Sequence, residues 1–310
     1  MVDEDERVEN GPALMVKDTR QGLGDLAGYW RSKFDLRLAA ITGSNGKTTV
    51  KEMLASILRK HAGTNAVLAT QGNLNNDIGV PLTLLGLRLL HRYAVVEMGM
   101  NHPGEIAYLA RIAKPDVALV NNAAEAHLQG LGSVEAVARA KGEIFEGLPE
   151  NGVAVINADD AQADLWRRLC RGRRVLDFGF EHPAAINGRC ELKEGGSEIA
   201  LQTDAGGIYL KLQVPGLHNA RNALAAAACA RAFGVLREVI AAGLAEFAGV
   251  KGRLQRKPGK NGAVVIDDSY NANPDSVKAA IEMLAAMSGI RILVLGDMGE
   301  LGEQAPWFHA

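Results

Sequence analysis

A doubly wound α/β fold with a mainly parallel sheet is predicted for this 310-residue chain by three observations. From about residue 36, short β-rich runs alternate with stretches of 3.6-residue apolar spacing, the pattern of strands joined by covering helices. A glycine-rich turn, "TGSNGKTT" (42–49), lies where the first run meets the first amphipathic stretch. Two long segments depart from the alternation and mark smaller attached units.

The expected strands are "LRLAAI" (36–41), "NAVLA" (65–69), "YAVVEM" (93–98), "DVALVN" (116–121), "GVAVIN" (152–157) and "RRVLDF" (173–178). Between them, Val50, Met53, Leu54, Ile57 and Leu58 form one helical stripe. Ile106, Leu109, Ala110 and Ala113 form another, with Pro103 near its start. Residues 185–214 instead alternate in period two and are broken by Gly-Gly pairs, which predicts a small antiparallel β unit appended to the main sheet. "HNARNALAAAACARAF" (218–233) is an alanine-rich helix. The Gly, Pro and basic residues of "GVKGRLQRKPGKNG" (249–262) interrupt the pattern as a domain boundary would.

Beyond it, "AVVIDD" (263–268) and "RILVLGD" (291–297) are expected strands. Between them a helix starts at Asn273-Pro274 and buries Val277, Ala280, Ile281 and Leu284. Two strands and one helix do not close a doubly wound sheet, so this unit is expected to be incomplete.

Composition narrows the function classes. The chain is 47% hydrophobic and 23% charged, with net charge −2 and no basic cluster, which argues against a nucleic-acid partner. No apolar run is long enough to insert in a membrane. The acidic start, "MVDEDERVEN", lacks the form of a signal peptide, so a cytoplasmic location is expected. Cys170, Cys190 and Cys229 are far apart, with neither zinc-ligand nor disulfide spacing.

The chemistry-bearing stretches follow strand ends. In the turn, Thr42, Gly43, Ser44, Asn45 and Gly46 offer backbone amides to an anion at a helix N-terminus. Lys47 would reach outer phosphates and Thr48, beside Thr49, would hold Mg²⁺. The usual Walker glycine is absent, with Ile41 in its place. Glu97 ends a central strand, where a carboxylate suits a metal beside a triphosphate. His127 also follows a strand and is weak alone. Lys141 falls on the apolar stripe of Val134, Val137, Ala138, Ile144, Phe145 and Leu148, behind the N-cap Ser133. An ammonium there either snorkels out or is neutralised, paired or modified. His218 and Asn222 share a helix face beside Asn219 and could hold a base or sugar, or merely be surface polarity. Asp267 and Asp268 end a strand, where they suit ribose hydroxyls or a cation, or turn chemistry.

These stretches, with "GNLNNDIGVPLTLL", "EMGMNHPGEI", "AKGEIFEGL", "DDSYNANPDS" and "LGDMGELG", resemble the Mur ligases, ATP-dependent enzymes of peptidoglycan precursor synthesis. Within that family they look like the branch that adds D-alanyl-D-alanine to UDP-muramoyl-tripeptide. The resemblance implies ATP and Mg²⁺ as cofactors and small-molecule partners, through an acyl phosphate, in a protein that is monomeric at full length. It implies that Lys47 and Thr48 hold phosphates and Mg²⁺, and that Glu97, His127 and Lys141, the last as a carbamate, complete the metal sites. His218, Asn219 and Asn222 would lie on the adenine side, Arg253 and Asp268 near phosphates and ribose. Asn75, Asn76 and Thr83 would line the muramoyl-peptide side.

The expected organisation is a tail and remnant of a UDP-sugar domain (1–36), a central ATP-binding domain (37–248) and an incomplete C-terminal, Rossmann-like ligase domain (249–310). As a fragment, the chain alone is expected to hold ATP without ligating. The alternatives are another Mur member, a folylpolyglutamate synthase-like ligase or a non-catalytic nucleotide-binding remnant. "NNDIGVP" and "YNANP" speak against the first two.

Overall fold

A computed structural model of the chain describes residues 2–3, 13–124, 133–170, 172–193, 196–204, 206–299, 301 and 305–309. A nine-stranded sheet forms its centre. The strands are β1 (Arg37–Thr42), β2 (Val67–Ala69), β3 (Tyr93–Glu97), β4 (Val117–Val120), β5 (Val153–Asn157), β6 (Arg174–Gly179), β7 (Ile186–Lys193), β8 (Gly196–Thr203) and β9 (Gly206–Leu212). Their spatial order is β9-β8-β7-β6-β5-β4-β1-β3-β2, parallel from β2 through to β7. β1 lies between β3 and β4, so the chain changes direction across the sheet beside it. In open α/β sheets that switch point is where ligands gather, at the strands' carboxyl ends.

Alternate residues of β1 feed opposite cores. Ala39 and Ile41 enter one apolar cluster, Leu38 and Ala40 the other. The first is covered by α2 (Lys47–Ala62), α7 (Leu217–Ala232) and α8 (Arg237–Ala245). The second is covered by α1 (Thr19–Arg31), α3 (Gly79–Leu85), α4 (Glu105–Ala113), α5 (Val134–Gly142) and α6 (Ala163–Leu169). All five apolar stripe residues of α2 are fully buried. α7 is buried nearly all round because its alanines let it lie close to the sheet.

One expectation holds and two need correction. The antiparallel unit is appended to the main sheet as expected: β7 pairs in parallel with β6, and β7-β8 and β8-β9 run antiparallel. "RILVLGD" forms no strand. The expected partner β11 (Val264–Asp267) pairs instead with β10 (Gln255–Pro258), and a strand without a neighbour has no ladder to hold it. The helix after Asn273 exists as α9 (Pro274–Ala285), with Pro at its start and an Asn273 capping box. Its expected apolar face is not buried, however, and Ile281 is 44% exposed, because the sheet of this unit has two strands among the described residues, too few to cover a helix face. The short α10 (Ala305–His309) follows.

Cys170, Cys190 and Cys229 are free. Burial pushes the Cys170 thiol up to about 12, which keeps it unreactive. Among the described residues, no helix is long and apolar enough to cross a membrane.

Candidate nucleotide and metal site

β1 delivers the glycine-rich turn to the switch point. Gly46 caps α2 in the left-handed region, at φ 80°. A Cβ there would stand 2.3 Å from Asn222 Oδ1 and 2.7 Å from Asn121 Nδ2, so both conformation and space demand glycine. No side chain caps α2. Its first N–H groups and the positive end of its dipole therefore remain for an anion.

The turn is held from its neighbour strand by asparagines. Asn122 Oδ1 accepts the Asn45 N–H at 2.8 Å, and the Asn122 carbonyl accepts the Ser44 N–H at 3.0 Å. Asn121 donates to the Asn45 carbonyl at 3.0 Å and to Asn222 Oδ1 at 3.1 Å, joining turn and α7. Asn157, at the end of β5, donates to the Asn121 carbonyl at 3.0 Å. The Lys47 ammonium folds back on the Gly43 and Ser44 carbonyls, at 2.7 and 3.2 Å. Burial lowers its pKa, nearby Glu97 opposes that shift, and Arg253 adds to it.

A cleft of about 420 Å³ opens over the turn, within the range of small-molecule sites. It brings together Ser44, Asn45, Gly46, Lys47, Thr48, Thr49, His218, Asn219, Asn222, Arg253 and Asp268. Thr42, the last residue of β1, and Gly43 are buried and do not line it. Burial, then Arg221, lowers the His218 pKa and favours a neutral imidazole. Asn219 Nδ2 donates to the Pro215 carbonyl at 2.7 Å, leaving its oxygen for other donors. From the C-terminal unit, the Arg253 guanidinium lies 4.2 Å from the Tyr270 ring centre and donates to Thr48 Oγ1 at 3.1 Å. Burial raises the Asp268 pKa, while Asp268 accepts the Leu254 N–H at 3.0 Å.

Glu97 is 2% exposed. Asn75 Nδ2 donates to its Oε1 at 2.8 Å, but Oε2 is buried without a hydrogen-bond partner. That orphaned oxygen fits a cation, which would satisfy it. Lys141 is also 2% exposed. Burial pushes its pKa well below the ordinary lysine value, and the Lys47 charge adds to the effect. Snorkelling is therefore excluded; the ammonium is enclosed and faces a second one.

Two expected residues are engaged locally. Asn76 Oδ1 accepts the Gly79 N–H at 2.8 Å, and the Thr83 hydroxyl donates to the Gly79 carbonyl at 2.9 Å. His127 lies outside the described residues. Among the described residues, no three His, Cys, Asp or Glu side chains gather around one point. A metal held here would rely on Thr48, Glu97 and a modified Lys141 rather than on such a cluster.

Asn121, Asn122, Asn157, Asp159, Asp160 and Asn273 were not anticipated, yet all line the cleft. Asp159 accepts the N–H groups of Phe180, Glu181 and His182 at 2.7, 3.0 and 2.9 Å. Burial opposes its ionisation, but these donors outweigh it and hold the carboxyl below its ordinary value. The available signal was position: "VNN" and "INADD" each end a strand, as the recognised motifs do.

A phosphate cradle at the switch point of a doubly wound sheet, beside a buried carboxylate and a buried lysine, defines a nucleotide-dependent α/β protein. Residues 41–230 match the Mur ligase middle domain, and residues 252–310 match the Mur ligase glutamate ligase domain. The chain belongs to the Mur ligase family. It is 48% identical over 303 residues to UDP-N-acetylmuramoyl-tripeptide–D-alanyl-D-alanine ligase of Escherichia coli K12, covering 96% of this chain and 66% of that protein. The chain thus spans just under two thirds of that relative's length. Among solved structures, MurF from Acinetobacter baumannii superposes with TM-score 0.93 at 41% identity, over 98% of this chain and 67% of that one. The MurF ligase from Thermotoga maritima in complex with ADP gives 0.86 at 30% identity, over 99% and 70%.

Proposed function

We propose that this chain carries the ATP site of a ligase that adds D-alanyl-D-alanine to UDP-N-acetylmuramoyl-tripeptide in peptidoglycan precursor synthesis. The observation that carries the reading is the buried Lys141 and the buried, unpartnered Glu97 oxygen beside Lys47, which lines the cleft at a helix N-terminus. Such a group of charges suits a triphosphate and divalent metal. The E. coli and A. baumannii relatives support the choice of reaction, and the ADP complex supports the choice of nucleotide.

The α2 amides and Lys47 would bind the β- and γ-phosphates, which pulls the ammonium off the Gly43 and Ser44 carbonyls. Mg²⁺ would be held by Thr48 and Glu97, with a second ion held by Lys141 as a carbamate and by His127. Bound there, the metal supplies charge neutralisation at the transferring phosphoryl group. Carbamylation converts the unfavourable Lys47–Lys141 pairing into an attraction, since the carbamate is anionic. Arg253 would leave the Thr48 hydroxyl for the phosphates. His218, Asn219 and Asn222 would frame the adenine, and Asp268 the ribose. Asn75, Asn76 and Thr83 would border the muramoyl peptide, whose carboxylate attacks the γ-phosphorus to form an acyl phosphate and ADP. The dipeptide amine then displaces phosphate.

Calorimetry with ADP and Mg²⁺ tests the site. Lys47→Ala should weaken binding by roughly tenfold or more, as loss of a charged hydrogen bond would; unchanged affinity overturns the loop assignment. Mass spectra of mixtures of ATP, UDP-muramoyl-tripeptide and candidate amines, with the chain extended to the length of its relatives, test the reaction. A muramoyl-pentapeptide product assigns it, whereas product formed only with another amine moves the chain to a different family branch.

A further inference from the structure

Lys51 lies one turn beyond Lys47 on α2 and is 1% exposed. Its Nζ donates to the Thr70 carbonyl at 2.6 Å and pairs with the part-exposed Glu52 at 2.8 Å. Thr70, the residue after β2, is itself 1% exposed.

In a parallel ladder, a residue's N–H and C=O bond to the residues before and after its partner on the adjacent strand. Thr70 makes the first of these bonds, from its N–H to the Val95 carbonyl at 3.0 Å. The second would run from the Glu97 N–H to the Thr70 carbonyl. Instead, the Glu97 N–H goes to the Thr70 hydroxyl at 2.9 Å, and Lys51 takes the carbonyl. The ladder is therefore opened at the residue whose carboxylate oxygen is orphaned.

From Thr70 the chain runs directly to Asn75, which donates to Glu97 Oε1 and accepts the Gly99 N–H on its carbonyl at 2.8 Å. The backbone on both sides of Glu97 is thus referenced to Thr70 and its loop.

We propose that Lys51, acting through Thr70, is a positioning residue that holds the Glu97 carboxylate in its cation-accepting orientation and couples it to the phosphate-loop helix. This rests on Glu97 being a metal ligand. An apolar side chain at position 51 frees the Thr70 carbonyl to reclaim the Glu97 N–H and rotate the strand end. Loss of the Thr70 hydroxyl removes the acceptor that keeps the ladder open.

The test is Mn²⁺ affinity of the whole chain in the presence of ADP, read by electron paramagnetic resonance, beside metal-free ADP affinity and thermal melting. Thr70→Val should weaken Mn²⁺ binding at least about fivefold while metal-free ADP affinity stays within about twofold. Thr70→Ser, which keeps the hydroxyl, should restore it, and Lys51→Met should act in the same direction as Thr70→Val. Should Lys51→Met fail to fold, the Thr70 pair carries the test. Wild-type Mn²⁺ affinity in Thr70→Val, with affinity lost in Glu97→Gln, overturns the positioning role alone. Unchanged affinity in Glu97→Gln overturns the metal reading and the inference with it.

Discussion

The two walls of the cleft are built differently. The wall from β1, α2 and α7 stands on a nine-stranded sheet with apolar clusters on both faces. The wall that brings Arg253, Asp268 and Asn273 comes from a two-stranded sheet and a helix with no buried residue. Direct polar bridges to the phosphate loop are Arg253 to Thr48 and Asn273 to Asn45 Oδ1 at 2.7 Å. A dense core can impose a strained turn and enclose two lysines. The lightly packed wall adds charge and reach, and its contacts can be exchanged for those of a ligand.

The contrast predicts that substitutions in the first wall alter global stability and binding together, whereas those in the second alter binding or local order and leave the main melting transition in place. The largest effect is expected for Gly46→Val. The left-handed backbone costs about 1–2 kcal/mol, and the new side chain displaces Asn121 and Asn222. ADP affinity should fall by about 100-fold, with a lower Tm. Unchanged binding in titration calorimetry would break the assignment of the turn as a rigid cradle.

Lys141→Met comes next and has the opposite sign for stability. Burial holds the folded-state pKa of Lys141 below the ordinary lysine value. The unfolded chain therefore binds more protons in the window between that lowered value and about 10.4, so stability rises with pH across it. Below the window the penalty is fully present. In bicarbonate-free buffer the variant should melt higher, by roughly 2–4 °C for each kcal/mol relieved. Its advantage should shrink as pH approaches about 10. A constant difference across pH would show that the lysine's charge is not the cause.

Arg253→Ala should weaken ADP binding by about tenfold, in line with loss of one charged hydrogen bond. The main melting transition should stay within about 1 °C, since rim contacts contribute little to a large core. The smallest effect belongs to Asn273→Ala. Losing the capping box costs about 1 kcal/mol, confined to α9. Hydrogen exchange should quicken across residues 274–285 and leave α2 unchanged. Faster exchange in both helices would mean that the walls unfold as one unit.

The same contrast explains how far the residue pattern could be read. Strands with neighbours on both sides are legible because their side chains must be apolar until the strand ends, as in residues 93–96 and in Val117–Val120. "RILVLGD" carries the same signal and forms no strand, because β structure needs a partner that composition does not specify. Lys47, Thr48 and the glycines were legible because a strand-turn-helix context requires them. Asn121, Asn122 and Asn157 were not, since their importance depends on β4 lying beside β1 and β5 beside β4 in space.

By itself, the sequence determined the doubly wound class, the phosphate turn, the family likeness and the anomaly of a lysine on an apolar stripe. Each is a local matter of periodicity, backbone conformation or motif. Only the tertiary structure decided that β7 joins β6 in parallel, so that the appended strands prolong one nine-stranded sheet. It alone brought Arg253 to Thr48 across 205 positions of chain and gave the Thr70 carbonyl to Lys51. These outcomes follow from which strands become neighbours and which backbone groups then lack partners. That accounting closes only when the whole fold is assembled.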